Sequence, residues 1–142
     1  MNYQNDRRSR LRFDHGNLSV KVKRTGISGI FGKSKIVNWK DFNKYGMAFE
    51  SRHRFNLDSK ITLQLCIKDE KEFNISNITG VVRNIGKYSD NFRCGVEFDY
   101  NSNEFMKSEN VKQTLFEIEQ LLNSILLRLE KNNGSQIMRR KL

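Results

Sequence analysis

The sequence is poor in the residues and motifs on which catalysis most often depends. It contains only two histidines, His15 and His53, and neither lies in an HxxxH or HExxH spacing, so a zinc-hydrolase site has no support. It also lacks a GxSxG nucleophile elbow and a GxxxxGK[ST] phosphate loop. The glycines of residues 25–35 do not match GxGxxG, and no helical pattern follows them. We therefore expect a protein that is not an enzyme and that needs neither a metal ion nor a cofactor.

Cysteines and long apolar runs are also scarce. Cys66 and Cys94 have no CxxC spacing, and both lie within apolar, strand-like segments, so we interpret both as core residues rather than as a disulfide or a metal site. No apolar run approaches the roughly 20 residues needed to cross a bilayer. The first 13 residues contain no apolar stretch after their charges, unlike a secretory signal. These absences predict a cytoplasmic protein without a membrane span.

Positive charge is abundant and unevenly distributed. The net charge is +10. Residues 1–60 hold 14 Lys/Arg against 5 Asp/Glu, whereas residues 61–142 hold 12 against 11. A positive field of this kind attracts polyanions and phosphate-bearing ligands, although charge by itself does not specify a partner.

Alternation of apolar and polar residues predicts a mainly β domain. Residues 18–23 alternate with period two, as a half-buried strand does. Polar turn sequences separate several further segments of the same kind, which is typical of an antiparallel barrel or sandwich. The further strands that we predict are residues 35–40, 46–52, 60–67, 72–84 (a segment that could be broken) and 93–99.

A helical pattern replaces the alternation after Tyr100. Asn101 to Asn103 offer N-cap residues, and an apolar stripe then recurs at spacings of three and four residues over nearly three heptads. The stripe comprises Val111, Leu115, Ile118, Leu122, Ile125 and Leu129. A helix stop is expected at Asn132-Asn133-Gly134. Either the stripe packs on the barrel of its own chain or it pairs with other copies, and its length favours a homo-oligomer.

Two sequence motifs carry the functional hypothesis. The N-terminal arm contains Arg7, Arg8 and Arg12, and guanidinium groups can clamp phosphates in bidentate fashion and stack on purine rings. Asp41 and Gly46 lie between two predicted strands. A carboxylate at this place can accept hydrogen bonds from a guanine edge, and a glycine can adopt positive φ and let a ligand approach the backbone.

Together these residues resemble the PilZ domain family, whose signature is RxxxR in an N-terminal arm followed by [D/N]x[S/A]xxG after a strand. Arg8 and Arg12 match the first motif, and Asp41 and Gly46 match the ends of the second. The segments Gly80-Val81-Val82-Arg83 and Gly95-Val96-Glu97-Phe98 resemble later strands of the family barrel. The resemblance extends from about residue 6 to residue 100.

The resemblance implies a six-stranded antiparallel PilZ-like β-barrel that binds cyclic-di-GMP (c-di-GMP). By the same resemblance, Arg8 and Arg12 form the clamp, Arg7 assists it, Asp41 binds guanine, and Gly46 allows close approach of the backbone. Asn43 occupies the small Ser/Ala position; it can still donate and accept hydrogen bonds, but its bulk could fill part of the guanine site. The expected organisation is a flexible arm (1–12), the barrel (13–100), a helix for self-association (101–133) and a basic tail (134–142).

The resulting hypothesis is a c-di-GMP receptor or adaptor whose occupied state presents a different surface to an unidentified protein partner, in motility, adhesion or biofilm control. One alternative is a degenerate adaptor that no longer binds the nucleotide. The other is a nucleic-acid-binding barrel, which is disfavoured because the strands carry no RNP-like aromatic run. Of the remaining candidates, Trp39 is expected in the core, Arg83 faces either ligand or solvent, and Tyr45 is expected to be only a turn residue.

Overall fold

The computed structural model describes residues 18–24, 34–68 and 72–141, the last ten of these by their backbone only. It contains six strands and two helices in these ranges. The strands are β1 (Leu18–Arg24), β2 (Lys35–Asn43), β3 (Gly46–Ser51), β4 (Lys60–Lys68), β5 (Glu72–Tyr88) and β6 (Asn91–Phe98). The helices are α1 (Glu104–Lys107) and α2 (Glu109–Lys141).

The six strands form a closed antiparallel barrel in the order β1-β2-β3-β6-β5-β4. This confirms the expected fold class. The closure leaves no unpaired edge, which removes the aggregation hazard of an open sheet. All six predicted strands are present, but β5 is longer than expected and runs unbroken from Glu72 to Tyr88.

The alternation in the sequence corresponds to the inside and outside of the barrel. In β4, for example, Ile61, Leu63, Leu65 and Ile67 are all fully buried, while the residues between them face outward. Cys94 lies in the core as expected, but Cys66 is only half-buried because it falls on the outward phase of β4. The expectation that Cys66 is a core residue was therefore wrong.

Helix α1 closes one end of the barrel. The side chain of Asn103 caps it by accepting a hydrogen bond from the backbone N–H of Met106, as the N-cap prediction required. Met106 is fully buried, and its Sδ accepts a bond from the N–H of Thr79 at 3.4 Å. A bond from the N–H of Asp99 to the carbonyl of Thr79 (2.8 Å) fixes the chain as it leaves β6.

Helix α2 packs on the barrel of its own chain. Val111, Leu115, Ile118 and Leu122 of the stripe are all buried in the same core cluster as the strands. These four residues therefore follow the first of the two expectations, in which the stripe packs on its own chain, and β2 supplies part of the surface that they cover. Homo-oligomerisation through the helix stays a prediction.

The end of α2 also differs from the prediction. The helix continues through Asn132-Asn133-Gly134 to Lys141, so residues 134–141 are not a separate tail. A glycine inside a helix costs only about 1 kcal/mol relative to alanine, and good helix formers such as Gln136 and Met138 follow it. Among the described residues, no helix is long and apolar enough to cross a membrane.

Replacement of Leu115 by alanine should lower the free energy of unfolding by about 2–5 kcal/mol, because this fully buried side chain fills the contact between α2 and the barrel. The matched control is Leu127→Ala on the same helix, where the leucine is 62% exposed and the change should stay within about 0.5 kcal/mol. Urea unfolding at several protein concentrations is the measurement. A midpoint that rises with protein concentration would show instead that α2 is stabilised by other copies.

Candidate functional site

A β-bulge in β2 sets the direction of the candidate ligand residues. Val37 and Trp39 point into the barrel, so strict alternation would also turn Asp41 inward. The pairing with β3 shifts between Trp39 and Asp41, and beyond this bulge Phe42 is buried while Asp41 and Asn43 are exposed. One extra residue in the strand therefore keeps a carboxylate out of the core and places it on the outer surface.

A second bulge lies in β5, on the other side of the same surface. Its pairing with β6 shifts between Val82 and Asn84, which leaves Arg83 without an opposite residue. Val81 and Val82 are both buried, whereas Arg83 and Asn84 are both exposed. Bulges often occur next to functional sites, where they redirect side chains, and here they border one surface from two sides.

Between the bulges lies a cleft of about 320 Å³ on the outer face of β2, β3, β6 and β5. Asp41 is paired with Ala48, Ala48 with Gly95, and Gly95 with Asn84, so these four residues form one row across the four strands. The two central residues of this row have almost no side chain. The cleft is therefore a shallow trough, with a methyl group and backbone as its floor and polar side chains at its rim. Its rim residues include Asp41, Asn43, Tyr45, Arg83, Asn84 and Glu97.

Gly95 keeps the floor of the trough open. A Cβ at this position would lie 3.2 Å from Nδ2 and 3.3 Å from Cβ of Asn84, so the Asn84 side chain already lies beside the glycine. Glycine inside a strand often marks a close approach of other groups, and this was the sequence signal that could have identified Gly95 as a site residue.

Asn43 is used by the β2–β3 turn. Its Oδ1 accepts hydrogen bonds from the backbone N–H groups of Tyr45 (2.7 Å) and Gly46 (3.1 Å). This is an Asx-type turn, in which the side chain replaces a backbone acceptor. The amide oxygen is therefore directed back into the turn, and the expected obstruction of the cleft by Asn43 is reduced.

Gly46 is required for a different reason from the one expected. Its φ does not lie in the positive range, and a Cβ would lie only 2.1 Å from the carbonyl oxygen of Val96 in β6. The glycine thus allows β3 and β6 to approach each other, and this contact lies within the barrel wall. The expectation of positive φ was wrong, because neighbouring backbone, and not turn geometry, excludes a side chain here.

Helix α2 and the segment after β6 hold the same turn. The backbone N–H of Lys44 donates to Oε1 of Glu119 at 3.0 Å, and the hydroxyl of Tyr100 donates to the carbonyl oxygen of Lys44. Nζ of Lys44 lies 5.2 Å from the ring centroid of Phe116. Neither Lys44 nor Tyr45 has positive φ, so the turn is not of the primed types that suit two-residue hairpins. Contacts to α2 stabilise it instead.

The environment of Tyr100 changes its acidity. Burial, with smaller contributions from the charges of Tyr45 and Glu119, raises the pKa of Tyr100 to about 12. The proton is therefore retained well above the ordinary tyrosine pKa of about 10, and the hydroxyl continues to donate to Lys44.

The charges of the cleft are mixed. Arg83 forms ion pairs with Asp58 (3.2 Å) and Glu97 (3.6 Å), and all three side chains are substantially exposed. Asp41 accepts a bond from the N–H of Phe42 at 2.9 Å. Among the lining residues that the structure describes, Asp41 and Glu97 supply two carboxylates and Arg83 one guanidinium, so this face suits the donor-rich edge of a ligand better than its anionic groups.

The predicted site residues are only partly brought together. Asp41, Asn43 and Gly46 all line the cleft. Arg7, Arg8 and Arg12 lie outside the described residues. Trp39 is buried, as expected, and does not line the cleft. Within the ranges that the structure describes, no group of three His, Cys, Asp or Glu side chains is placed to hold a metal ion.

Comparison with known proteins shows the fold. No protein-family model and no curated protein matches the chain. The structure of K. pneumonia MrkH in complex with c-di-GMP matches with a TM-score of 0.56 at 14% identity, over 82% of this chain and 49% of that one. The structure of K. pneumonia MrkH in its apo state matches with a TM-score of 0.55 at 12% identity, over 83% of this chain and 50% of that one. The chain thus spans about half the length of MrkH, and the likeness shows a PilZ-like barrel.

Substitution of Gly46 by alanine should destabilise the protein by about 1–3 kcal/mol, because the added Cβ collides with the backbone of β6. Gly86→Ala in β5 is the matched control, since a Cβ there meets nothing within 4 Å. Chemical unfolding of both variants is the measurement. Equal stabilities would contradict the close approach of β3 and β6.

The burial of the Tyr100 hydroxyl should make stability depend on pH in the alkaline range. Because the folded-state pKa is raised, the contribution of this proton is fully present below about pH 10 and is lost as the pH rises through about 12. The difference in unfolding free energy between wild type and Tyr100→Phe should therefore be constant below about pH 10 and shrink above it. Tyr88→Phe, at the opposite end of the barrel, controls for loss of a hydroxyl. A difference that does not change with pH would contradict this assignment.

Proposed function

We propose that the chain is a c-di-GMP receptor, in which the cleft of β2, β3, β6 and β5 binds a guanine edge and the arginine arm binds the phosphates. The observation that carries the proposal is the placement of Asp41, Asn43 and Gly46 around one cleft. All three belong to the β2–β3 hairpin, and the cleft extends from this hairpin across β6 to β5. The MrkH complex adds a protein of the same fold for which c-di-GMP is the bound ligand.

The size and charge of the cleft match one part of such a ligand. A volume of about 320 Å³ lies at the lower end of the range for small-molecule pockets, so it fits a base better than a whole dinucleotide. The exposed carboxylate of Asp41 can accept hydrogen bonds from the N–H groups of a guanine edge. The floor at Ala48 and Gly95 lets a planar ring lie close to the backbone.

The phosphates need positive charge from another part of the chain. Arg83 is the guanidinium in the cleft, and it is shared with two carboxylates. Residues 1–60 carry 14 Lys/Arg against 5 Asp/Glu, and Arg7, Arg8 and Arg12 are among them. Each charge-assisted hydrogen bond contributes roughly 1.5–3 kcal/mol to binding. Each residue of the arm that becomes fixed costs about 1–2 kcal/mol of conformational entropy. The bonds together have to exceed this total cost.

The contacts of the β2–β3 turn support an adaptor role. The backbone of Lys44 is bonded to Glu119 of α2 and to Tyr100, immediately beside Asn43 in the cleft. A ligand bound beside this turn therefore lies next to the surface that the turn, Tyr100 and α2 form together. We propose that ligand binding changes the surface formed by arm, turn and helix, and that a protein partner recognises this changed surface.

Binding of c-di-GMP should be measurable by isothermal titration and should depend on both motifs. Arg8→Ala or Arg12→Ala should weaken binding roughly 10- to 150-fold, the equivalent of one lost charge-assisted interaction. Ala48→Leu should abolish binding, because the larger side chain fills the floor of the cleft. Thr62→Leu, on the outer face of β4 away from the cleft, is the matched control and should bind as wild type does.

Two results would contradict the proposal. Absence of heat with the wild-type protein at saturating c-di-GMP would mean that the chain is not a receptor for this ligand. Binding of single-stranded DNA that falls steeply with salt and is unaffected by c-di-GMP would favour the nucleic-acid alternative.

A further inference from the structure

Tyr45 is an exposed aromatic residue at the rim of the cleft. Its side chain is 65% exposed, although it belongs to the part of the chain that contacts α2. A single exposed aromatic residue is common on protein surfaces and needs no explanation by itself. The backbone on which Tyr45 is presented distinguishes it from the other exposed residues.

Every backbone polar group of the two turn residues is hydrogen-bonded. The N–H of Lys44 donates to Glu119, and its carbonyl accepts from Tyr100. The N–H of Tyr45 donates to Asn43 at 2.7 Å, and its carbonyl accepts from the N–H of Phe98 at 2.8 Å. Four bonds, to β2, β6, α2 and the segment after β6, fix the position of the Cα–Cβ bond of Tyr45. The ring is therefore presented on a rigid backbone, which lowers the entropy cost of a contact with a ligand.

Tyr45 is a lining residue of two clefts. One is the ligand cleft of Asp41, and the other is a cleft of about 330 Å³ against α2 that contains Lys44, Tyr100 and Phe116. Nζ of Lys44 lies 5.1 Å from the Tyr45 ring centroid and 5.2 Å from that of Phe116, so the ammonium group bridges the two rings. This cation–π contact supports the ring from the side of α2.

The register of the hairpin places the ring within reach of a ligand bound at Asp41. Asp41 is opposite Ala48, and Asn43 is opposite Gly46, so the turn begins two residues beyond Asp41. Two residues of a strand span about 7 Å, which is comparable to the length of a tyrosine side chain. Asp41 and Tyr45 also line the same cleft, so a ligand held at Asp41 lies close to the turn that carries Tyr45.

We propose that Tyr45 stacks on a purine base of the ligand bound at Asp41 and so contributes directly to affinity; this inference rests on the proposed function. A role as a turn residue alone does not account for the rigid, exposed presentation of a large aromatic side chain beside the cleft. Asn43 then has a second purpose, because its turn hydrogen bonds hold Tyr45 in place.

Titration of c-di-GMP into wild type, Tyr45→Phe, Tyr45→Leu and Tyr45→Ala tests the proposal. Loss of one stacking contact corresponds to roughly 5- to 150-fold weaker binding, expected for Tyr45→Ala. Tyr45→Phe should bind within about twofold of wild type, because it keeps the ring. Tyr45→Leu keeps apolar bulk without a π-face and should be clearly weaker than Tyr45→Phe. Tyr88→Ala is the matched control, as its ring is 47% exposed at the opposite end of the barrel.

A spectroscopic variant supplies a direct readout of stacking. In Tyr45→Trp, c-di-GMP should quench the fluorescence of the new indole, whereas the wild-type signal from Trp39, which is buried, should change little. Thermal unfolding of each variant identifies any that fail to fold. If Tyr45→Ala is one of them, the comparison of the affinities of Tyr45→Leu and Tyr45→Phe for c-di-GMP tests the proposal.

The outcomes separate the two proposals. If wild type binds and Tyr45→Ala binds within about twofold of it, stacking is overturned and the receptor function stands. If wild type does not bind c-di-GMP at all, both are overturned. If binding falls in Tyr45→Ala and Tyr45→Leu but not in Tyr45→Phe or Tyr88→Ala, stacking is supported.

Discussion

The candidate site depends on the single extra residue that the bulge inserts into β2. Strands alternate strictly between two faces, so every side chain after a bulge changes sides. Without this change, Asp41 and Asn43 would follow Val37 and Trp39 into an apolar core. Burial of an unpaired carboxylate is so unfavourable that such a barrel would not fold in this register. With the change, Phe42 supplies core area and the polar residues reach the surface.

Alternation between the two faces of a strand also lets neighbouring residues supply the core and the cleft in turn. Phe42 and Phe98 pack in the core with ring centroids 5.7 Å apart, while their neighbours Asp41 and Glu97 border the cleft. Gly46 allows β3 and β6 to approach each other in the barrel wall, and Gly95 forms part of the floor of the cleft. The strands around the cleft thus present an open trough whose floor is backbone and a methyl group.

Helix α2 has a different role from the one that its heptad stripe suggested. A stripe of this spacing shows that one face of a helix is buried, but it carries no information about the surface that buries it. Here the first four stripe residues cover the barrel, and Glu119 and Phe116, on the same helix, hold the turn beside the cleft. The helix is therefore part of the support of the candidate site.

The sequence alone determined the strands, the order of elements and the identity of Asp41, Asn43 and Gly46 as candidates. Alternation and turn residues act locally and with fixed periods, so they can be recognised without a structure. Only the tertiary structure decided that Asn43 is used by the turn, that Gly46 accommodates β6, and that Ala48, Gly95, Arg83 and Tyr45 join the same cleft. These roles arise from pairing between strands that are distant in sequence and from bulges, which change the face of a residue without changing its local pattern.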